Sequence, residues 1–235
     1  MLLLYALFVN LIIGTIAYVK GLVSTGGYIV GLIVGITIFA YGGVGAYVML
    51  CTFFALGIWF SKTGYEEKRE RATHQEGRGR RGGRHALANC LVGIVSAMLI
   101  GLGWRIDYMA IVLTASFATA LADTTSNELG QLYGKHPFNP TTFKGVEPGT
   151  EGAISIEGTL LGIAGAIVIA GEAFIFDMVD WRGFVAVIAG ATLGNYIESV
   201  LSSTPFRHIG NELLNLLNTL MGGLIALIFY KVVFM

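Results

Sequence analysis

The chain has 235 residues, 54% hydrophobic and only 13% charged, with a formal net charge of zero and a mean hydropathy of +0.71. Soluble domains carry about 25% charged residues, so an ordinary soluble domain is excluded, and zero net charge leaves no electrostatic footprint for a nucleic-acid partner. The apolar runs are continuous rather than alternating over ~10-residue segments, which excludes a β-barrel and leaves an all-α, polytopic transmembrane helix bundle, a single integral membrane domain over 1–235.

Eight stretches approach the ~20 residues that a helix needs to cross a bilayer: 2–19, 23–41, 43–60, 86–104, 108–129, 153–175, 182–201 and 212–234. The first lacks a basic leader and a small-residue cleavage site, so it reads as a retained helix rather than a signal peptide. Only Tyr41-Gly42-Gly43 divides the second from the third, which predicts a tight hairpin. Gly27, Gly31 and Gly35, and again Gly158 and Gly162, recur every fourth residue, the spacing that lets membrane helices approach closely. Cys51 and Cys90 fall in separate apolar stretches and read as small core residues, not a disulfide. The eighth stretch opens with Asn211, Asn215 and Asn218, so its first half faces an interface or a cavity.

The loop 61–85 carries Lys62, Lys68, Arg69, Arg71, Arg78, Arg80, Arg81 and Arg84. The positive-inside rule places it in the cytoplasm. An even number of spans then puts Lys20, Lys135, Lys144 and Arg207 on the same side, along with the second loop, 131–152, so that twelve of the fifteen basic residues are inside and both termini outside. Polar residues collect on that side too. Ser24 opens the second span, Asn89 lies near the start of the fourth, and Thr150, Ser155 and Thr159 lead into the sixth. Asn195 and Glu198 end the seventh, and Asn215 opens the eighth. A transporter needs polar groups through the midplane, and these are scarce. A one-sided polar face suits an enzyme that takes a lipid laterally and a co-substrate from the cytosol.

The densest stretch is Asp123-Thr124-Thr125-Ser126-Asn127-Glu128 at the end of the fifth span. Ionisable groups at the end of a membrane-length helix mark a functional site; the alternative is a helix that has already reached the headgroups. Asp123 and Asn127 share a helical face, whereas Glu128 lies roughly 140° round. A straight helix therefore cannot bring both carboxylates to one ion. Either it unwinds near Asn127, or each carboxylate works with a different neighbour, Glu198 being the natural third contributor. Carboxylates, amides and hydroxyls are hard oxygen ligands suited to Mg²⁺. His74, His85, His136 and His208 are scattered without zinc spacing. The arginine- and glycine-rich run Glu76 to Arg84 matches phosphate oxygens, or else is a flexible loop touching anionic lipid headgroups. The loop Lys144 to Gly152 offers a second phosphate site at a helix N-terminus. Neither a Walker A sequence nor a dinucleotide fingerprint is present.

Several segments resemble an integral-membrane family, DUF92, the transmembrane protein 19 family, which includes phytyl-phosphate kinases. They are Ser24-Thr25-Gly26-Gly27, Ser61-Lys62-Thr63-Gly64 with Lys68, and Arg84 through Asn89. Ala122 through Gly130, Gly149 through Ser155 with Gly158-Thr159, and Gly194 through Ser199 complete the match. The family often has serine at the position of Asn127 and aspartate at that of Glu198; both exchanges keep an oxygen ligand. The resemblance implies a CTP-dependent kinase that converts a prenyl monophosphate to its diphosphate. On that reading Asp123, Glu128 and Glu198 hold Mg²⁺, and Lys62, Arg84 and Lys144 neutralise phosphates. Ser24, Asn89, Thr124, Asn127, Thr150, Ser155, Thr159, Asn195 and Asn215 then bind the substrates, with membrane lipids around the bundle. The rival readings are a transporter or lipid translocator with a coupling cation at the acidic groups, a cytidylyltransferase acting on a lipid phosphate, and a non-catalytic scaffold. Prenyl chain length and oligomeric state stay open.

Overall fold

The computed structural model describes residues 2–70 and 82–235. In order the helices are α1 (Leu2–Val19), α2 (Thr25–Thr37), α3 (Gly43–Lys62), the short α4 (Tyr65–Glu70), α5 (Gly83–Gly101), α6 (Ile106–Tyr133), α7 (Ile156–Ile175), α8 (Trp181–Ser202) and α9 (Asn211–Phe234). A π-turn, Ile38–Gly42, joins α2 to α3, and a 3-10 turn, Pro205–Ile209, precedes α9. Six segments are long and apolar enough to cross a membrane, the first of them the continuous stretch Thr25–Lys62, with α1 a shorter apolar helix. In lipid only a helix or a closed barrel satisfies its own backbone, so a polytopic helical bundle is the architecture that these segments can form.

The stretch Thr25–Lys62 reverses direction at the π-turn, where Gly43 takes φ +80°, a conformation that favours glycine. Gly26 lies against Gly83 at the start of α5, and Tyr41 against Gly101 at its end, so α2 runs parallel to α5. Gly45 packs on Phe176 beyond the end of α7, Phe53 stacks on Phe117, and Ser61 reaches Glu128, so α3 runs parallel to α6. The expected reversal is there, but not a tight hairpin. α2 packs on α1 and α5 while α3 packs on α6 and α7, because each buries more against those helices than against the other.

α6 is the central helix and packs against α3, α5, α7, α8 and α9. Nearly every side chain from Met109 to Thr125 is buried, and many are small: Ala110, Ala115, Ala118, Ala120 and Ala122. Small residues let membrane helices close to dispersion distance, where lipid offers no hydrophobic drive. The same logic runs through its neighbours. A Cβ at Gly158 would lie 3.3 Å from the Cα of Gly130, and one at Gly190 would lie 2.5 Å from the carbonyl oxygen of Gly222. Of the repeating glycines, Gly158 and Gly162 seat α7 on α6, and Gly35 makes room for Asn10, while Gly31 meets nothing within 4 Å. Cys51 and Cys90 are not joined in a disulfide.

These contacts place the connections 20–24, 134–155 and 203–210, together with α4, at one end of the bundle, and both termini at the other. Of the basic loop 61–85, residues 71–81 lie outside the described residues, including Arg71, His74, Arg78, Arg80, Arg81 and most of the arginine- and glycine-rich run. A membrane-impermeant thiol reagent provides a direct test. In a chain lacking Cys51 and Cys90, single cysteines at Lys62 and Lys144 will react from one side of the membrane and a cysteine at Asp177 from the other. Reaction of the first two from opposite sides would refute this arrangement.

Candidate functional site

At the end of the bundle that carries the longer loops, α6 runs unbroken through the acidic motif, so Asp123 and Glu128 do not come together by unwinding. Each has its own neighbours. Asp123 is 8% exposed and accepts a hydrogen bond at Oδ1 from Asn127 Nδ2 at 2.8 Å, on the same helical face. Asn127 itself is exposed, so this face runs from the packed core to the surface within one turn. One step round, Ser126 Oγ donates to the Asp123 carbonyl at 3.0 Å and receives Asn195 Nδ2 of α8 at 3.1 Å. Asn195 Oδ1 is buried without a hydrogen-bond partner among the described residues, and so is Asn218 Oδ1 of α9. The two residues lie on helices that pack closely there, since a Cβ at Gly194 would stand 3.3 Å from the backbone carbonyl oxygen of Asn218. Orphaned acceptors cost free energy, and a donor or cation from outside the chain would satisfy them.

Glu128 belongs to a second cluster. Lys68, on α4 and completely buried, donates from Nζ to Glu128 Oε2 at 2.6 Å, to Phe60 O at 3.0 Å and to Ser61 O at 3.4 Å. Ser61 Oγ donates to Glu128 Oε1 at 2.9 Å. The ammonium thus caps the carbonyl end of α3, where the helix dipole favours a cation, and ties α3 and α4 to α6. Among the described residues Lys68 is the basic side chain buried at this end of the bundle. Lys62 and Arg84 are exposed, and neither forms an ion pair among the described residues. Sequence reasoning placed Lys68 in the basic loop and in the family resemblance but gave it no role in the site, because the charged segment Glu66-Glu67-Lys68-Arg69-Glu70 reads as solvated loop; the turn signal Thr63-Gly64 just before it was the available clue.

The remaining candidates divide by structural role. Ser24 and Ser155 are N-caps, accepting from the backbone N–H groups of Gly27 at 3.1 Å and Gly158 at 3.0 Å. Each cap uses an oxygen lone pair, not the hydroxyl proton. Thr159 Oγ1 donates back to Ser155 O, Thr150 Oγ1 to Glu147 O, and Thr124 is buried in α6. Asn89 donates to His85 O, and Asn215 Nδ2 meets His85 Nδ1 at 3.2 Å, which joins α5 to the polar half of α9. Asn215 and Asn218 therefore face the packed interior, while Asn211 is exposed. Glu198 accepts from Ser202 Oγ at 2.6 Å on its own helix. The 134–155 loop rests beside it: Gly152, at φ +71°, has no room for a Cβ against Ser199 O and Ser203 N. Lys144 is exposed on that loop.

Among the described residues no three His, Cys, Asp or Glu side chains are placed to share a metal ion. The expected three-carboxylate group of Asp123, Glu128 and Glu198 is therefore not assembled, because Glu128 turns to Lys68 and Glu198 to Ser202. Mg²⁺ takes one or two carboxylates and leaves the rest to water and substrate phosphates, and Asp123 and the orphaned Asn195 Oδ1 are oxygen donors of that kind.

The fold and the site together define a polytopic helical membrane protein with a buried polar site at one end of its bundle. The chain belongs to the family described as integral membrane protein DUF92, which matches residues 8–208. It is 31% identical to an uncharacterized membrane protein, sll0875, of Synechocystis, over 88% of this chain and 83% of that one. It is 34% identical to an uncharacterized membrane protein, MJ0933, of Methanocaldococcus jannaschii, over 87% and 84% respectively. It is 27% identical to the protein VTE6, chloroplastic, of Arabidopsis thaliana, over 92% of this chain and 68% of that one. No solved structure matches the chain.

Proposed function

We propose that this protein is a membrane-embedded prenyl-phosphate kinase, transferring the γ-phosphoryl group of a nucleoside triphosphate, CTP, to a prenyl monophosphate. The observation that carries this reading is the gathering of Asp123, Ser126, Asn127, Asn195 and Asn218 at one end of an otherwise apolar bundle, with buried acceptors left unsatisfied. The family resemblance supports the reaction class. The positive-inside bias supports a cytoplasmic active face in the cell membrane.

The acceptor phosphate is already anionic near neutral pH, so the reaction needs no strong general base. A phosphate oxygen attacks the γ-phosphorus, the bond to the β-phosphate bridge breaks, and CDP leaves with that electron pair. The chain's task is positioning and charge neutralisation. Mg²⁺, when bound, would neutralise charge on the phosphoryl oxygens. Asp123, aligned by Asn127, and Asn195 would hold it, while Lys144 and the basic loop would draw the phosphates to this face. The isoprenyl chain would stay among the apolar helices.

Purified protein incubated with labelled CTP, Mg²⁺ and a panel of prenyl monophosphates will yield CDP and labelled prenyl diphosphate. Release of pyrophosphate with a cytidylyl-lipid product would replace the kinase with a cytidylyltransferase. Flux of lipid across vesicles without turnover would replace it with a translocator.

A further inference from the structure

The loop between α6 and α7 forms an open groove of about 860 Å³, lined among others by Lys135, His136, Phe138, Phe143, Glu147 and Thr150. Small-molecule sites have volumes of roughly 300–1,000 Å³. The groove is built rather than draped. Phe138 bridges to both Gly145 and Ile154, with its N–H donating to Ile154 O at 2.9 Å and its carbonyl accepting from Ile154 N–H at 3.0 Å. Val146 N–H donates to Pro137 O at 3.0 Å, and Asn139 N–H to Lys144 O at 2.9 Å. Asn139 Oδ1 holds the turn by accepting from Thr141 and Thr142.

That turn presents an unusual residue. Phe143 takes φ +54°, a left-handed conformation that a bulky side chain adopts at a cost, and yet it is 73% exposed. Its ring stacks on Phe138, with 6.2 Å between centroids and 18° between planes. The result is a flat aromatic platform on the wall of a groove that two basic side chains and a carboxylate also line. The groove lies at the same end of the bundle as the polar cluster, against the start of α7 and the end of α8. It starts at Lys135, next to Gly134, where a Cβ would collide with the α7 cap Ser155, and it ends at Thr150, two residues before Gly152 meets the end of α8.

The geometry points to this groove as the seat of the nucleoside moiety of the phosphoryl donor, with the base stacked on Phe143, Glu147 accepting from ribose hydroxyls, and Lys135 and His136 facing the phosphates. The inference rests on the kinase reading for its ligand, and Phe143 and Lys135 are its specificity-determining residues. Every base has a π-face, so stacking on one aromatic ring changes affinity by roughly tenfold or more.

The test is equilibrium binding of CTP and of inorganic triphosphate to the purified full chain without Mg²⁺, paired with steady-state turnover. Phe143→Ala is expected to weaken CTP binding by roughly tenfold or more, leave triphosphate binding and thermal unfolding unchanged, and raise the KM for CTP but not for prenyl monophosphate. Phe143→Trp should restore CTP binding, and Lys135→Ala should weaken both ligands. Equal CTP affinity in Phe143→Ala and wild type would overturn the assignment. So would CTP binding no better than triphosphate, or a loss of membrane retention as the sole effect. The two readings fail separately. Phe143-dependent CTP binding without prenyl-phosphate turnover would leave the groove standing and remove the kinase. Turnover with an unaltered KM for CTP in Phe143→Ala would do the reverse.

Discussion

Asp123→Asn will fold and insert normally but lose at least ~10²-fold in kcat, because on the kinase reading it removes a carboxylate charge that would help offset developing phosphoryl charge. Asparagine keeps the size and still offers Oδ1 to Asn127 Nδ2, so the hydrogen bond along this face of α6 survives. The substitution removes the charge and, on the same reading, lowers metal affinity. The readout is turnover across an Mg²⁺ titration, alongside thermal unfolding of the purified protein. Wild-type turnover at saturating Mg²⁺ would make Asp123 a structural residue and take the main support from the kinase reading. Partial recovery at high Mg²⁺ would identify it as a ligand, since weaker coordination is offset by mass action.

The Lys68–Glu128 pair gives the largest expected effect on stability. Its side chains are 1% and 4% exposed. Breaking a buried pair by removing one partner leaves an uncompensated charge and costs on the order of 3–5 kcal/mol. Lys68→Met and Glu128→Gln should each lower the thermal midpoint sharply and release α4 and the end of α3 from α6. The double change Lys68→Met with Glu128→Leu should regain most of that stability, because apolar replacement of a whole buried pair is often neutral or better. Single variants with the stability of wild type would show that the pair does not hold this corner together. The double variant also separates stability from chemistry. If it is stable but inactive, the pair acts in the reaction beyond holding this corner together; if it turns over normally, the pair is a latch.

The amino-acid sequence by itself determined the long apolar helices, though not the short charged α4, and the end of the bundle to which the polar residues go. A helix in lipid satisfies its backbone internally, so apolar length reads directly as a helix, and reversals at Gly43 and at the polar loops follow from where that length runs out. The spacing of Asp123, Asn127 and Glu128 also showed that one straight helix splits its two carboxylates between different neighbours. What the sequence could not supply is the identity of those neighbours. Lys62 and Lys68 are equally basic and sit on the same loop, yet one is exposed and the other is sealed against Glu128. Which of them is buried depends on how α4 folds back over the end of α3. In the same way α2 and α3 look like a hairpin by loop length and diverge in the fold, because each buries its small-residue face against a different helix. Spacing along a chain sets which residues share a face; the rotation and approach of separate helices set what that face meets. Those are settled only when all the helices pack at once around α6.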